Sequence, residues 1–174
     1  MKRLIGAMMA LSCTAWAAPA AAQTVDIRTP KAFEAALRSA GVQPGPMHLV
    51  ESGEAPAWNV KLDGFDTTIF LWGCEQRRNC LYISFEGYFR DTTRMPSDSW
   101  LLKQSDHFST TKVGHSPAVG TDLRILVGQI GQGMPIEQLK FMITDWKEDV
   151  AYLRSQLQAD GYLAPRRGAG GLSD

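Results

Sequence analysis

Two apolar, aromatic-rich runs on either side of a short polar tip are the feature that most constrains the fold of this chain. The runs are Thr67–Gly73 and Leu81–Phe89, and Cys74 and Cys80 enclose five polar or charged residues between them. Strand-forming residues on both sides of a polar turn are typical of a β-hairpin. We therefore predict a hairpin at the centre of a small sheet, closed at its tip by a disulfide.

The spacing of the two cysteines favours a structural bond over a reactive one. In an oxidising compartment a pair of cysteines is usually bonded. A redox-active pair is less favoured because Cys74 and Cys80 do not form a C-x-x-C motif. Half of a metal site is the third possibility, but His48, His107 and His115 fall in no ligand spacing such as H-E-x-x-H. We expect a disulfide and no metal site.

The disulfide also predicts which side chains share a face, because successive side chains of a strand point to opposite faces. If Cys74 and Cys80 share one face, the side chains two and four residues away join them, which are Phe70, Trp72, Tyr82 and Ser84. The opposite face, predicted to be covered by helices, holds Ile69, Leu71, Leu81, Ile83 and Phe85.

The aromatic side chains on the cysteine face are candidates for binding a partner. They are Phe70, Trp72 and Tyr82. Exposed aromatic patches tend to mark interaction sites. Two alternatives remain open at this point: another segment covers this face, or the cysteine face is itself the core.

The start of the chain predicts export. A charged start, the apolar run Leu4–Trp16 and the small-residue run Ala17–Ala22 fit a signal peptide, residues 1–22, that is cleaved before Gln23. The apolar run is shorter than the roughly 20 residues that a membrane-spanning helix needs. A lipoprotein-type cleavage with acylation of Cys13 is a weaker alternative. We expect a periplasmic or secreted protein without membrane insertion.

The rest of the chain predicts one domain, residues 23–164, followed by a disordered tail, residues 165–174. A domain of this size buries roughly two thirds of the surface of its unfolded chain. Removing the signal peptide takes away two cations and leaves 16 Lys and Arg against 18 Asp and Glu, a net charge of −2. Such a chain lacks the basic patch that nucleic-acid binding requires. We therefore expect no nucleic-acid partner.

The periodicity of apolar residues predicts the element order α-ββββ-α-ββ-α, an α+β domain with an antiparallel sheet of about five to six strands and helices packed on it. The predicted elements are a helix between Thr29 and Gly41, strands at Met47–Glu51, Trp58–Asp63, Thr67–Gly73 and Leu81–Phe89, a helix from Ser97 to about Phe108, strands at Thr110–His115 and Leu123–Ile130, and a helix from Pro135 to about Leu157. Turns are predicted at Gly53–Pro56 and at Asp63-Gly64, the latter a hairpin signal.

No stretch of the sequence carries a recognisable catalytic or cofactor motif. Asp106, His107 and Ser109 are the residue types of a catalytic triad, but sequence neighbours rarely converge in triad geometry. There is no G-x-S-x-G element, and the order of Gly128, Gly131 and Gly133 differs from the G-x-G-x-x-G fingerprint. We expect a non-enzymatic protein without a cofactor.

The order and character of these segments resemble the YbjN family, whose members carry the label of bacterial sensory transduction regulators. The resemblance covers most of the predicted mature chain and rests on TPKAFEAALRSAG, WNVKLDG, FLWGCEQRRNCLYISFEGYF, SWLLKQSDHF and PIEQLKFMITDW. It implies an α+β fold similar to that of type III secretion chaperones. It supplies no established catalytic residues.

These observations lead to two functional hypotheses. The first is an exported protein- or peptide-binding domain with a regulatory or chaperone-like role, which an exposed apolar sheet face would support. The second is a small-molecule-binding or enzymatic domain that uses a cleft between the sheet and the last helix. A pocket with convergent polar groups would support it. The sequence leaves the identity of the partner and the oligomeric state open.

Overall fold

The fold was analysed in a computed structural model, which describes residues 23–50, 55–90, 92–116, 123–131 and 133–164. Within these ranges the elements are α1 (Pro30–Ser39), β1 (Met47–Val50), β2 (Ala55–Leu62), β3 (Phe65–Trp72), β4 (Tyr82–Phe89), α2 (Asp98–Ser105), β5 (Lys112–His115), β6 (Leu123–Ile130) and α3 (Ile136–Ala159). This order confirms the predicted α-ββββ-α-ββ-α pattern. The predicted signal peptide and C-terminal tail lie outside the described residues.

The six strands form one sheet in the order β1-β2-β3-β4-β6-β5, and every neighbouring pair is antiparallel. The α+β fold class is therefore confirmed. Asp63 and Gly64 have φ values of 47° and 78°, the left-handed backbone that a two-residue hairpin turn needs. The predicted turn at Gly53–Pro56 is wrong at its end, because Ala55 and Pro56 already pair with β1.

Two of the three helices begin at a side-chain cap, whereas α3 follows Pro135 and has no side-chain cap. The Thr29 hydroxyl accepts a hydrogen bond from the Ala32 N–H at 3.2 Å, and Pro30 takes the first position of α1. Ser97 caps α2 in the same way, accepting from the Trp100 N–H at 3.3 Å. Side-chain caps of this kind satisfy N–H groups that have no partner inside the helix. α2 ends at Ser105, earlier than predicted.

The helices pack against one face of the sheet, here called the inner face. Phe33 of α1 meets Trp58 edge-on, with ring centroids 5.3 Å apart. Trp146 of α3 meets Phe85 in the same manner at 5.9 Å, and its Nε1–H donates to the Thr67 hydroxyl at 3.0 Å. The buried side of α3 consists of Ile136, Leu139, Met142, Ile143, Trp146, Val150, Leu153 and Leu157. The three- and four-residue spacing of apolar residues in the sequence predicts this buried side, with Met142 and Ile143 as alternatives where the structure buries both.

The predicted disulfide between Cys74 and Cys80 is present, with an S–S distance of 2.12 Å. The two cysteines nevertheless lie with the core and not with Phe70 and Trp72, so this part of the face prediction is wrong. Cys80 is fully buried in the core, whereas Leu81 is 48% exposed. The reason is that the chain has positive φ at four tip positions, Gly73, Gln76, Arg77 and Asn79, which interrupts the alternation of side chains.

Gly87 in β4 is predicted to be sensitive to substitution. A Cβ at this position would come within 2.3 Å of Cε1 of Phe65, whose ring packs over the glycine. We expect Gly87→Ala to lower the free energy of unfolding by about 1–3 kcal/mol, because the ring must move in a packed core. Gly114→Ala in β5 is the matched control, since nothing lies within 4 Å of its Cβ position. Urea denaturation measures both, and equal losses in the two variants would contradict this packing argument.

The disulfide is predicted to stabilise the fold by limiting the unfolded chain. For so short a loop, the chain-entropy relation gives a contribution of about 2 kcal/mol. Dithiothreitol should therefore lower the urea midpoint of the wild type and leave that of a Cys74→Ala/Cys80→Ala variant unchanged. A wild type that loses its disulfide, by thiol titration, without a shift in midpoint would show that the bond is not stabilising.

Candidate functional site

The sheet face opposite the helices, here called the outer face, carries the aromatic residues selected from the sequence. The strand register places Phe70 opposite Ser84, and Trp72 opposite Tyr82. Apart from Leu81, the face assignment of both strands is as predicted, since the inner-facing side chains Ile69, Leu71, Ile83 and Phe85 are fully buried. The predicted aromatic residues are therefore on the face without the helix core.

These three aromatic side chains differ in exposure. Tyr82 is 44% exposed and Trp72 is half-buried, whereas Phe70 is only 2% exposed. The Phe70 ring lies 4.9 Å from the Trp72 ring, edge to face, so it supports Trp72 from below. Phe70, Ala55 and Ala57 are buried but stand apart from the main core cluster. Of the predicted partner-binding residues, Trp72 and Tyr82 are the ones that reach the surface.

A third apolar side chain, which sequence reasoning missed, continues this surface. Ile130 at the end of β6 pairs with Tyr82 across the sheet and is 67% exposed. We call Trp72, Tyr82 and Ile130 the apolar row. The signal was present in the alternation of β6, where Ile125 and Val127 point inward and Ile130 points outward. The pairing of β6 with β4 could not be derived from the local sequence.

A cavity of about 570 Å³ adjoins the apolar row. The described residues that line it are uncharged, and they are Tyr82, Gly128, Gln129, Ile130, Gly133, Met134, Pro135 and Gln138. The N-terminal segment borders it, since the Val25 N–H donates to the Met134 carbonyl at 2.7 Å. The apolar row and this cavity together offer an uncharged surface with one recess.

The opposite end of the outer face, near the β2–β3 turn, is polar. A cavity of about 850 Å³, here called the polar cavity, is lined there by residues of three strands. Its outward-facing polar residues are Asn59, Lys61, Asp66, Thr68, Glu86 and Tyr88, and Val60, Phe65, Thr67, Gly87 and Phe89 also line it. Its lining also includes Arg154 of α3 and Leu163.

The polar side chains that line the polar cavity form hydrogen bonds and ion pairs with one another. The Thr68 hydroxyl donates to Asn59 Oδ1 at 3.1 Å, and the Lys61 ammonium lies 2.7 Å from Asp66 Oδ1. The Tyr88 hydroxyl donates to Glu86 Oε1 at 2.7 Å. Burial and this bond to a carboxylate raise the pKa of Tyr88 to about 12, so its hydroxyl stays protonated at neutral pH.

The triad residue types do not assemble into a triad. The His107 ring stacks on Tyr152, with centroids 3.8 Å apart and planes 11° from parallel. In the described chain no hydrogen bond joins the side chains of Asp106, His107 and Ser109. The Thr111 hydroxyl instead donates to Asp149, whose pKa is raised by burial. No group of three or more His, Cys, Asp and Glu side chains that could hold a metal occurs within the described ranges.

Comparison with known proteins supports the fold. The sequence matches no protein-family model, and none of the curated proteins matches it. The structure is similar to the crystal structure of YbjN from E. coli, described as a candidate transcription regulator, with a TM-score of 0.59 over 82% of this chain and 99% of that chain. None of the helices in the described part is both long and apolar enough to cross a membrane. The sequences are 15% identical, so the likeness concerns the fold, and it confirms that this chain has a YbjN-like fold.

Proposed function

We propose that this protein is an exported, non-enzymatic domain that binds a protein or peptide partner through the apolar row. The observation that carries the proposal is the placement of Trp72, Tyr82 and Ile130 side by side at the surface, on the sheet face away from the helices. Contiguous exposed apolar surface with a polar surround is a common mark of an interaction site.

The composition of the row suits a protein contact. Tryptophan and tyrosine are enriched among the residues that dominate binding energy at interfaces. Burying the exposed parts of Tyr82 and Ile130 would contribute on the order of 1–3 kcal/mol each. Phe70 beneath the row and the disulfide at the hairpin tip hold the surface in place, which reduces the entropy lost on binding.

The YbjN-like fold supports a regulatory or chaperone-like role in this proposal, and the predicted signal peptide supports export. The disulfide is compatible with an oxidising compartment. The net charge of −2 predicted for the mature chain does not favour contact with nucleic acid. We therefore place the regulatory action at the level of a protein partner outside the cytoplasm.

A Tyr82→Ala/Ile130→Ala variant tests the proposal. Both side chains are exposed, so the variant should fold like the wild type and bind its partner at least about 10-fold more weakly. Leu102→Ala is the matched control, because Leu102 on α2 is as exposed as Ile130, at 67%, but lies outside the row. Affinity capture from periplasmic extract with mass spectrometry identifies the partner, and titration with the purified partner gives the affinities.

Two results would contradict the proposal. One is a wild type that captures no protein above the level of an unrelated bait. The other is a partner that the row variant and the Leu102→Ala variant bind equally well.

A further inference from the structure

We propose that the polar cavity binds a small, neutral, polyhydroxylated ligand of the sugar or polyol class. This site lies at the other end of the outer face from the apolar row, and the inference does not depend on the proposed protein partner. It rests on the size of the cavity, on the hydrogen-bonding groups of its walls and on the partners that its charged groups already have within the protein.

The size of the polar cavity fits a small molecule. Its volume of about 850 Å³ lies within the range of roughly 300–1,000 Å³ that is usual for ligand sites. Residues of β2, β3 and β4 and the segment 43–45 line it. The Gly45 N–H donates to the Asn59 carbonyl at 3.0 Å and so fixes this segment against β2. The cavity is therefore built on paired backbone.

Asn59 and Thr68 offer both donors and acceptors to a ligand. The Thr68 hydroxyl uses its hydrogen on Asn59 Oδ1 and keeps its lone pairs as acceptors. The amide nitrogen of Asn59 keeps two N–H donors, since the described chain provides no side-chain acceptor for it. A sugar hydroxyl both donates and accepts, so two neighbouring hydroxyl groups can bond to this pair at once.

Glu86 adds an acceptor that is held in a fixed position. Its side chain is only 14% exposed, and Arg124 forms an ion pair with its Oε1. The Tyr88 hydroxyl donates to the same oxygen. Oε2 has no hydrogen-bond donor within the described residues and can accept from a ligand hydroxyl. A carboxylate fixed by other groups and bonded to a hydroxyl is a strong, charge-assisted acceptor.

The charges of the walls favour a neutral ligand over an ionic one. Lys61 is paired with Asp66, and Arg124 with Glu86. The guanidinium of Arg90 lies over the Tyr88 ring at 5.8 Å, and that of Arg154 lies near the Phe65 and Phe89 rings at 5.5 and 5.6 Å. The charged groups are thus engaged within the wall, and hydrogen bonding is the capacity that remains for a ligand.

Amide NMR titration of the isotopically labelled protein tests this inference. The neutral probes are glucose, N-acetylglucosamine and sorbitol, and the ionic probes are glucose 6-phosphate and spermidine. We expect at least one neutral probe to cause saturable shifts confined to the residues around Asn59, Thr68 and Glu86. Asn59→Ala and Thr68→Val should each weaken this binding about 5- to 10-fold, the effect of one lost hydrogen bond of about 1 kcal/mol.

The Tyr82→Ala/Ile130→Ala variant separates this site from the apolar row, because it should bind the neutral probe like the wild type. Three results would overturn the inference. They are the absence of saturable shifts with every neutral probe, tighter binding of an ionic probe, and unchanged binding in both Asn59→Ala and Thr68→Val. Asn59 and Thr68 are not fully buried, and Thr68→Val keeps the side-chain shape, so a loss of folding in one variant leaves the other informative.

Discussion

The contact between Trp146 and the inner face of the sheet is the interaction on which the rest of the structure depends. Its indole packs against Phe85 and Phe65, and its N–H donates to the Thr67 hydroxyl in a site that excludes water. A buried indole N–H needs such a partner, because an unpaired polar group in the core costs about 1–3 kcal/mol. This requirement fixes one helix over the central strands, which commits Ile69, Leu71, Ile83 and Phe85 to the core.

The commitment of the inner face determines what the outer face can be. A shift of register by one residue would exchange the two faces of the sheet. The packing of Phe65 over Gly87 and of Trp146 against Phe85 excludes such a shift. The residues that therefore face outward are Trp72, Tyr82, Thr68 and Glu86. The same strands carry apolar side chains toward the disulfide and polar side chains toward the β2–β3 turn. The division of the outer face into an apolar and a polar end is therefore a property of the sequence of β3 and β4.

The sequence was sufficient where a pattern acts locally. The apolar side of α3, the caps at Thr29 and Ser97 and the Asp63-Gly64 turn were all predictable, because each depends on residues a few positions apart. The placement of Cys80 and Leu81 was not, since it depends on left-handed backbone at Gln76, Arg77 and Asn79, and glutamine and arginine seldom adopt it. Ile130 and Glu86 became site residues only through the pairing of β4 with β6 and the approach of Arg124, which are long-range contacts.

The two ends of the outer face share strands but are separated by a buried row. Trp72 and Thr68 are four residues apart in β3, which corresponds to about 13 Å along an extended strand. Three buried residues, Phe70, Ala57 and Ser84, lie between the two ends and separate them. Substitutions at such a distance without shared partners usually act independently. If both proposals hold, the apolar row binds a protein partner and the polar cavity binds a small ligand at the same time, because the two sites lie on separate ends of one sheet face.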